Sequence, residues 1–209
     1  MAVGMVLASM GAIVMTGCQQ ETAPTGDALY ADAEKTYFEY RGLVNEALSV
    51  ISTGPWSIDH TGDYGMLPGR CDHNAGYQFD MARSLQIDIA DRERYADAVM
   101  KHLEAAGMSP SRGALGSGDR ELIQVSVDDE GGFEKILFTF GYDSRVLLDA
   151  STTCRPGDAF ALADLIFGDE HFLGDYLPAE ESPTDPLFFG ITPGEPKLRT
   201  PTSTPTPTA

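Results

Sequence analysis

The residues of this 209-residue chain with the most specific chemistry are its three cysteines, Cys18, Cys71 and Cys154. A cysteine thiol serves proteins as a metal ligand, a disulfide partner, a catalytic nucleophile or an attachment point for lipid. The sequence contains no CxxC pair, and its four histidines show no HxxxH or similar spacing, so we predict no metal site. The surroundings of each cysteine decide between the remaining uses.

Cys18 follows a segment without charge. Residues 1–17 contain no Asp, Glu, Lys or Arg, and the apolar run from Ala2 to Met15 has the length of the central region of a secretory signal. A bilayer span needs about 20 apolar residues, so this run is short for one. The polar sequence QQETAPTGD follows the cysteine at once, as expected of a flexible tether.

The sequence MTGC at residues 15–18 resembles the bacterial lipobox. In that family diacylglycerol is joined to the thiol, the signal is cut just before the cysteine, and acyl chains such as palmitate anchor the protein. The resemblance implies a signal peptide over residues 1–17, lipidation of Cys18 and a position on the outer face of a bacterial cytoplasmic membrane.

Two departures and one alternative accompany this interpretation. Met15 stands where the family usually has Leu, and the family's signals begin with Lys or Arg, whereas the first basic residue here is Lys35. We therefore expect a start codon further upstream. The alternative is an uncleaved short anchor, or a buried segment in which Cys18 is an ordinary apolar residue.

An exported protein folds in an oxidising compartment, where an even number of cysteines indicates disulfides. With Cys18 lipidated, Cys71 and Cys154 remain as one pair, 83 residues apart. A bond that closes a loop of this size stabilises a fold by roughly 4 kcal/mol in the chain-entropy model. We predict this disulfide, with two free buried thiols as the alternative.

Three segments show helical periodicity. In the first, Leu29–Ile51, apolar residues recur at steps of three and four with charged residues between them. A second helix is predicted over residues 91–106, ended by Gly107, and a short one over Asp158–Phe167.

Period-two alternation predicts the strands. A long strand covers Tyr77–Ile89, where Arg83 interrupts the apolar face and marks either a bulge or the point at which the strand leaves the core. A short strand is expected over Trp56–His60, and three more strands form an antiparallel meander over residues 123–150. Cys154 continues the parity of the inward residues of the last strand, which predicts that its sulfur lies on the core side.

These elements predict an α+β fold: a single antiparallel sheet of about five strands, with two main helices packed on one face and a short C-terminal helix. The domain covers residues 28–168, after a flexible tether over residues 18–27. Residues 169–209 are predicted to be a disordered tail, acidic at first and then rich in Thr and Pro. The tail acts as a spacer or carries a recognition motif, with the spacer favoured, and its Thr-Pro tract is a candidate for O-glycosylation.

Charge and motif searches narrow the range of functions. The net charge of −18 argues against a nucleic-acid partner and against docking onto anionic lipid, since both need clustered Lys and Arg. No phosphate loop, EF-hand, GxSxG, SxxK or HExxH sequence occurs, so we predict no catalytic residue and no cofactor.

Short motifs surround the only tryptophan and the two later cysteines: WSI at Trp56, PGRC at Cys71 and TTCR at Cys154. Together with the lipobox, this layout resembles small lipoproteins of actinobacteria, the LppA-like group, from Cys18 to about Phe167. Members of that group are largely of unknown function. The resemblance therefore implies the location and the disulfide but no activity.

From these observations we predict a membrane-anchored, non-enzymatic module of the cell envelope that binds an envelope protein or a wall component. The first alternative is a small envelope hydrolase whose catalytic residues are scattered along the chain. The second is a solute-binding lipoprotein, which is disfavoured because a domain of about 140 residues is small for the usual two-lobed binder.

Overall fold

A computed structural model describes residues 22–58, 65–168 and 179–190. Within these ranges the chain forms three α-helices and nine β-strands. The helices are α1 (Gly26–Ser49), α2 (Arg92–Ala105) and α3 (Ala159–Phe167). The strands are β1 (Trp56–Ile58), β2 (Pro68–Cys71), β3 (Gly76–Gln86), β4 (Ser111–Leu115), β5 (Leu122–Glu130), β6 (Phe133–Phe140), β7 (Arg145–Thr152), β8 (Arg155–Pro156) and β9 (Glu180–Glu181).

One antiparallel sheet contains all of these strands. The order across it is β4-β5-β6-β7-β3-β1-β9, and β2 and β8 also pair with β3. The first half of β3 contacts β2 and β8, and its second half contacts β7 and β1. β3 is therefore the strand that connects the two parts of the sheet.

The helices cover one face of the sheet, and the core lies between the two layers. Alternate residues of β3, β5, β6 and β7 are buried, because successive side chains of a strand face opposite sides. The apolar stripe of α1 and residues Ala96, Val99 and Leu103 of α2 complete this core. Its largest fully buried apolar side chains include Trp56, Tyr37, Tyr77, Phe79, Phe133, Phe138, Phe140 and Phe189.

The α+β class and the single antiparallel sheet are confirmed, but the predicted five strands and two main helices are too few. The predicted strands correspond to β1, β3, β5, β6 and β7; strands β2, β4, β8 and β9 are additional. Helix α3 lies where the short C-terminal helix was expected. Residues 59 and 60, the predicted end of the first strand, lie outside the described residues.

The domain continues beyond residue 168, where the sequence predicted its end. Strand β9 pairs with β1, so that Trp56 lies opposite Glu181 in the sheet. Phe189 is 1% exposed, and its ring contacts those of Tyr30 and Tyr37 at centroid distances of 5.2 and 5.0 Å. The interpretation of residues 169–209 as one disordered tail is therefore wrong for residues 179–190. Residues 1–21, 169–178 and 191–209 lie outside the described residues.

None of the helices in the described part of the chain is long and apolar enough to cross a membrane. The predicted lipidation site, Cys18, and the predicted signal peptide lie outside this part.

Candidate functional site

The predicted disulfide between Cys71 and Cys154 is present, with the two Cα atoms 5.8 Å apart. Cys71 ends β2, and Cys154 lies between β7 and β8, so the bond joins the loop before β3 to the end of the meander. The two sulfur atoms pass closely over Gly76, where a Cβ would lie 2.5 Å from Cys154 Sγ. Glycine at position 76 is therefore a steric requirement of this bond.

The expected position of the Cys154 sulfur on the core side is wrong. Strand β7 ends at Thr152, and this residue makes the last inward contact: its Oγ1 accepts a hydrogen bond from Phe79 N at 2.9 Å. Cys154 itself is exposed. The alternation of a strand holds only while the backbone stays paired in the sheet, and the two residues after Thr152 no longer follow it.

An open pocket of about 570 Å³ lies beside the disulfide and is lined by Asp72, Asp129, Glu134 and Arg155 among others. The adjoining turn holds Asp72, His73 and Asn74 in the left-handed region, with φ of 46°, 53° and 75°. These residue types tolerate that conformation better than most. Among the described residues, no group of three His, Cys, Asp or Glu side chains is placed to hold a metal ion, here or elsewhere. We assign no binding role to this pocket.

An ion pair ties the disulfide end of the sheet to α1. Arg155 donates to both carboxylate oxygens of Asp32, at 2.9 and 2.5 Å, and Tyr77 Oη donates to Asp32 Oδ2 at 2.7 Å. The hydrogen bonds from Arg155 lower the pKa of Asp32, and they outweigh the opposite effect of burial. The same contacts raise the pKa of Arg155, and burial with the bond to Asp32 raises the pKa of Tyr77.

A second cluster of charges is buried in the core. Oε1 of Glu181 on β9 accepts a hydrogen bond from Nη2 of Arg41 on α1 at 2.6 Å and from Nε of Arg83 on β3 at 2.7 Å. The side chains of the three residues are at most 5% exposed. Burial lowers the pKa of Arg41, but contacts with Tyr37 and Glu181 more than offset this and leave its pKa raised, so the guanidinium stays charged in the core.

Both predicted explanations of Arg83, a bulge or an exit from the core, are wrong. Its strand pairs with β7 in an unbroken register over residues 80–86, and the side chain is buried on the core face. The physical reason is the carboxylate of Glu181, which supplies a partner for a buried cation. Arg83 Nη1 also donates to the carbonyl of Ala82 at 2.7 Å.

A cleft of about 570 Å³ lies between α1, the last turn of α2 and residues 183–187; we call it the α1–α2 cleft. Helix α1 contributes one face at steps of three and four residues, namely Gly42, Asn45, Glu46 and Ser49. His102 of α2 and Asp185 of the C-terminal segment face it from the other sides. The segment is fixed in place next to the cleft by the buried Glu181 and Phe189.

Two buried polar atoms at the α1–α2 cleft have no hydrogen-bond partner among the described residues: Asn45 Oδ1 and His102 Nε2. Asn45 is only 7% exposed. His102 Nε2 lies 4.0 Å from Glu46 Oε2, which is beyond hydrogen-bond range. Since buried polar atoms in folded proteins are nearly always paired, two such atoms without a partner among the described residues make the α1–α2 cleft the strongest candidate binding site in this part of the chain.

Two of the remaining polar side chains of the cleft make hydrogen bonds with nearby backbone groups. Ser49 Oγ donates to the carbonyl of Asn45 at 2.8 Å, and Asp185 Oδ2 accepts from Ser182 N at 2.7 Å. Sequence analysis missed this site. The sequence does show a polar stripe on α1 beside its apolar stripe. Residues 183–187, however, belong to the predicted tail, so the sequence gives no indication that they form a third wall of the cleft.

Comparison with models of protein families, with curated proteins and with solved structures finds no match for this chain. The lipobox and the likeness to LppA-like lipoproteins therefore stay predictions from the sequence.

Proposed function

We propose that this protein is a lipid-anchored, non-enzymatic module on the outer face of a bacterial cytoplasmic membrane, and that it binds a chemical group of an envelope component in the α1–α2 cleft. The observation that carries the binding part is a pair of buried atoms at one cleft, Asn45 Oδ1 and His102 Nε2, that have no hydrogen-bond partner among the described residues. The anchor part is supported by the MTGC sequence at residues 15–18 and by the disulfide, a bond typical of exported proteins.

The geometry of the cleft favours binding over nucleophilic catalysis. A serine nucleophile needs a hydrogen bond from its hydroxyl to a general base, which is most often a histidine. Ser49, which lines the same cleft as His102, instead donates the hydrogen bond of its hydroxyl to the carbonyl of Asn45. No observation on the described residues supports the alternative of a small hydrolase.

The binding proposal is tested by titrating the purified, ¹⁵N-labelled full-length protein with a library of small polar fragments. We expect changes in NMR chemical shift that are confined to Asn45, His102 and their neighbours. Asn45→Leu should abolish these chemical-shift changes and leave the free energy of unfolding within about 1 kcal/mol of wild type, because it removes a buried oxygen that has no partner among the described residues. A library without any fragment that shifts the cleft residues overturns the proposal.

The anchor is tested separately with the Cys18→Ala variant. Lipidation requires the thiol, so the variant should lose labelled fatty acid and leave the membrane fraction, whereas Cys71→Ala should keep both properties. A Cys18→Ala protein that still incorporates fatty acid as wild type does contradicts the lipoprotein interpretation.

A further inference from the structure

We infer that the group bound in the α1–α2 cleft is a primary ammonium carried on an aliphatic chain. This inference rests on the proposed function and narrows it to one chemical class of ligand.

The charges around the cleft select a cation. Glu46 and Asp185 line it, and no Lys or Arg is present among its described lining residues. A carboxylate or phosphate ligand would therefore meet like charge without a compensating cation. The net charge of −18 also raises the local concentration of cations around the whole chain.

The two cleft atoms without a partner among the described residues favour a ligand that donates hydrogen bonds. Asn45 Oδ1 is an acceptor, and His102 Nε2 is one when the imidazole is neutral and carries its proton on Nδ1. A primary ammonium offers three N–H donors and no acceptor, which matches such a set. A quaternary ammonium has no N–H to offer and is usually held by the rings of Trp, Tyr or Phe, and none of these three residue types is among the described lining residues.

The distance between Glu46 Oε2 and His102 Nε2 allows one nitrogen, placed to the side of the line that joins them, to contact both atoms. Glu46 Oε2 and His102 Nε2 are 4.0 Å apart, and an ammonium nitrogen about 2.9 Å from each bridges them with two of its hydrogens. The Glu46 side chain is 74% exposed, so rotation of its carboxylate admits the ligand to the buried nitrogen.

The rest of the cleft is apolar enough to hold an aliphatic stem. Val50, Pro183 and Leu187 line it together with the polar groups. A sugar ring commonly stacks on Trp, Tyr or Phe, and the lack of these residue types among the described lining residues disfavours such a ligand. A methylene chain needs only such aliphatic contacts, in the way that lysine stems pack on apolar surface.

Three probes of equal chain length test the inference on the ¹⁵N-labelled full-length protein: pentylammonium, 1-pentanol and pentanoate. We expect only pentylammonium to shift Asn45 and His102. Glu46→Gln should weaken its binding about tenfold, the effect of one lost charge contact. The matched control is Glu104→Gln, which removes an exposed carboxylate from α2 away from the cleft and should leave the affinity unchanged.

The outcomes separate the inference from the proposed function. If 1-pentanol or pentanoate shifts the cleft residues as strongly as pentylammonium, the ammonium inference is wrong and the cleft is still a binding site. If none of the three probes changes the chemical shifts of the cleft residues, the inference is also wrong. The titration with the fragment library then tests the proposed function separately. Equal affinities of Glu46→Gln and Glu104→Gln would also overturn the inference.

Discussion

Two guanidinium groups share one carboxylate in the core of this protein. Each buried ion loses several kcal/mol of hydration, so the cluster of Arg41, Arg83 and Glu181 is stable only while its hydrogen bonds are intact. The three residues lie on α1, β3 and β9, which places the cluster at the junction of the helix layer, the central strand and the C-terminal segment.

We expect Glu181→Gln to lower the free energy of unfolding by about 3–5 kcal/mol, because it leaves two buried cations without a carboxylate. Urea unfolding of the purified protein measures this. Glu180→Gln is the matched control, since Glu180 is the exposed neighbour on β9 and its substitution should cost less than about 0.5 kcal/mol. Equal effects of the two substitutions would show that the cluster contributes nothing to stability.

Arg83 illustrates what a sequence can and cannot reveal at this scale. The break in the apolar face of β3 was visible, but its meaning depended on a partner 98 residues away. Glu181 lies in the predicted tail, which contains many acidic residues. Nothing in the sequence therefore distinguishes this carboxylate as the partner of a buried arginine. The pairing of buried charges is a tertiary property, and no local pattern predicts it.

Asp32 makes the stability depend on pH in a defined direction. Its pKa is lowered in the folded state from 3.8, so its contribution is fully present above about pH 3.8 and is lost as the pH falls through the folded-state pKa. Asp32→Asn should therefore be less stable than wild type at pH 7, and the difference should shrink below pH 4. Urea unfolding of both proteins at pH 7, 4 and 3 tests this. A difference in the free energy of unfolding between Asp32→Asn and wild type that is the same at all three pH values would refute the prediction.

At the scale of elements, none of the four strands that sequence analysis missed shows the alternation of apolar and polar residues that predicts a strand. β2 is the four-residue sequence PGRC, which does not alternate in this way. β8 and β9 have two residues each, too few for a period of two to appear. β4 is exposed along its whole length, so its residues do not alternate in polarity. By contrast β3, β5, β6 and β7 bury one face each, and that is why their pattern predicted them.

The disulfide links the end of β2 to the residue before β8, and both of these strands pair with β3. β2 and β8 flank the first half of β3, and β8 pairs with it through two residues. We expect Cys71→Ser and Cys154→Ser to lower the free energy of unfolding by the same amount, on the order of 4 kcal/mol, because each opens the same loop.

The double variant provides the decisive comparison, measured by urea unfolding under non-reducing conditions. Since either single substitution already removes the bond, the double variant should be no less stable than the single ones. Additive effects would mean that the two cysteines stabilise the fold through separate contacts rather than through their bond.

At the scale of the whole molecule, stability and the α1–α2 cleft depend on the same C-terminal segment. Residues 183–187 form a wall of the cleft, and the buried Glu181 and Phe189 on either side of them hold that wall in place. The segment packs against residues far away in sequence, as Phe189 does against Tyr30 and Tyr37. Truncation of the chain therefore tests where the folded domain ends.

We expect a chain ending at residue 168 to be less stable than the Glu181→Gln variant, because it loses the carboxylate and also uncovers the aromatic core around Tyr37. A chain ending at Gly190 keeps both contacts, and the Thr- and Pro-rich sequence that follows is not of a composition that builds a core. This longer chain should melt within about 2 °C of the full-length protein, which corresponds to less than about 1 kcal/mol. It should also bind pentylammonium as the full chain does. Thermal unfolding of both truncations decides the matter: equal melting temperatures for the two would mean that residues 179–190 are not part of the folded domain.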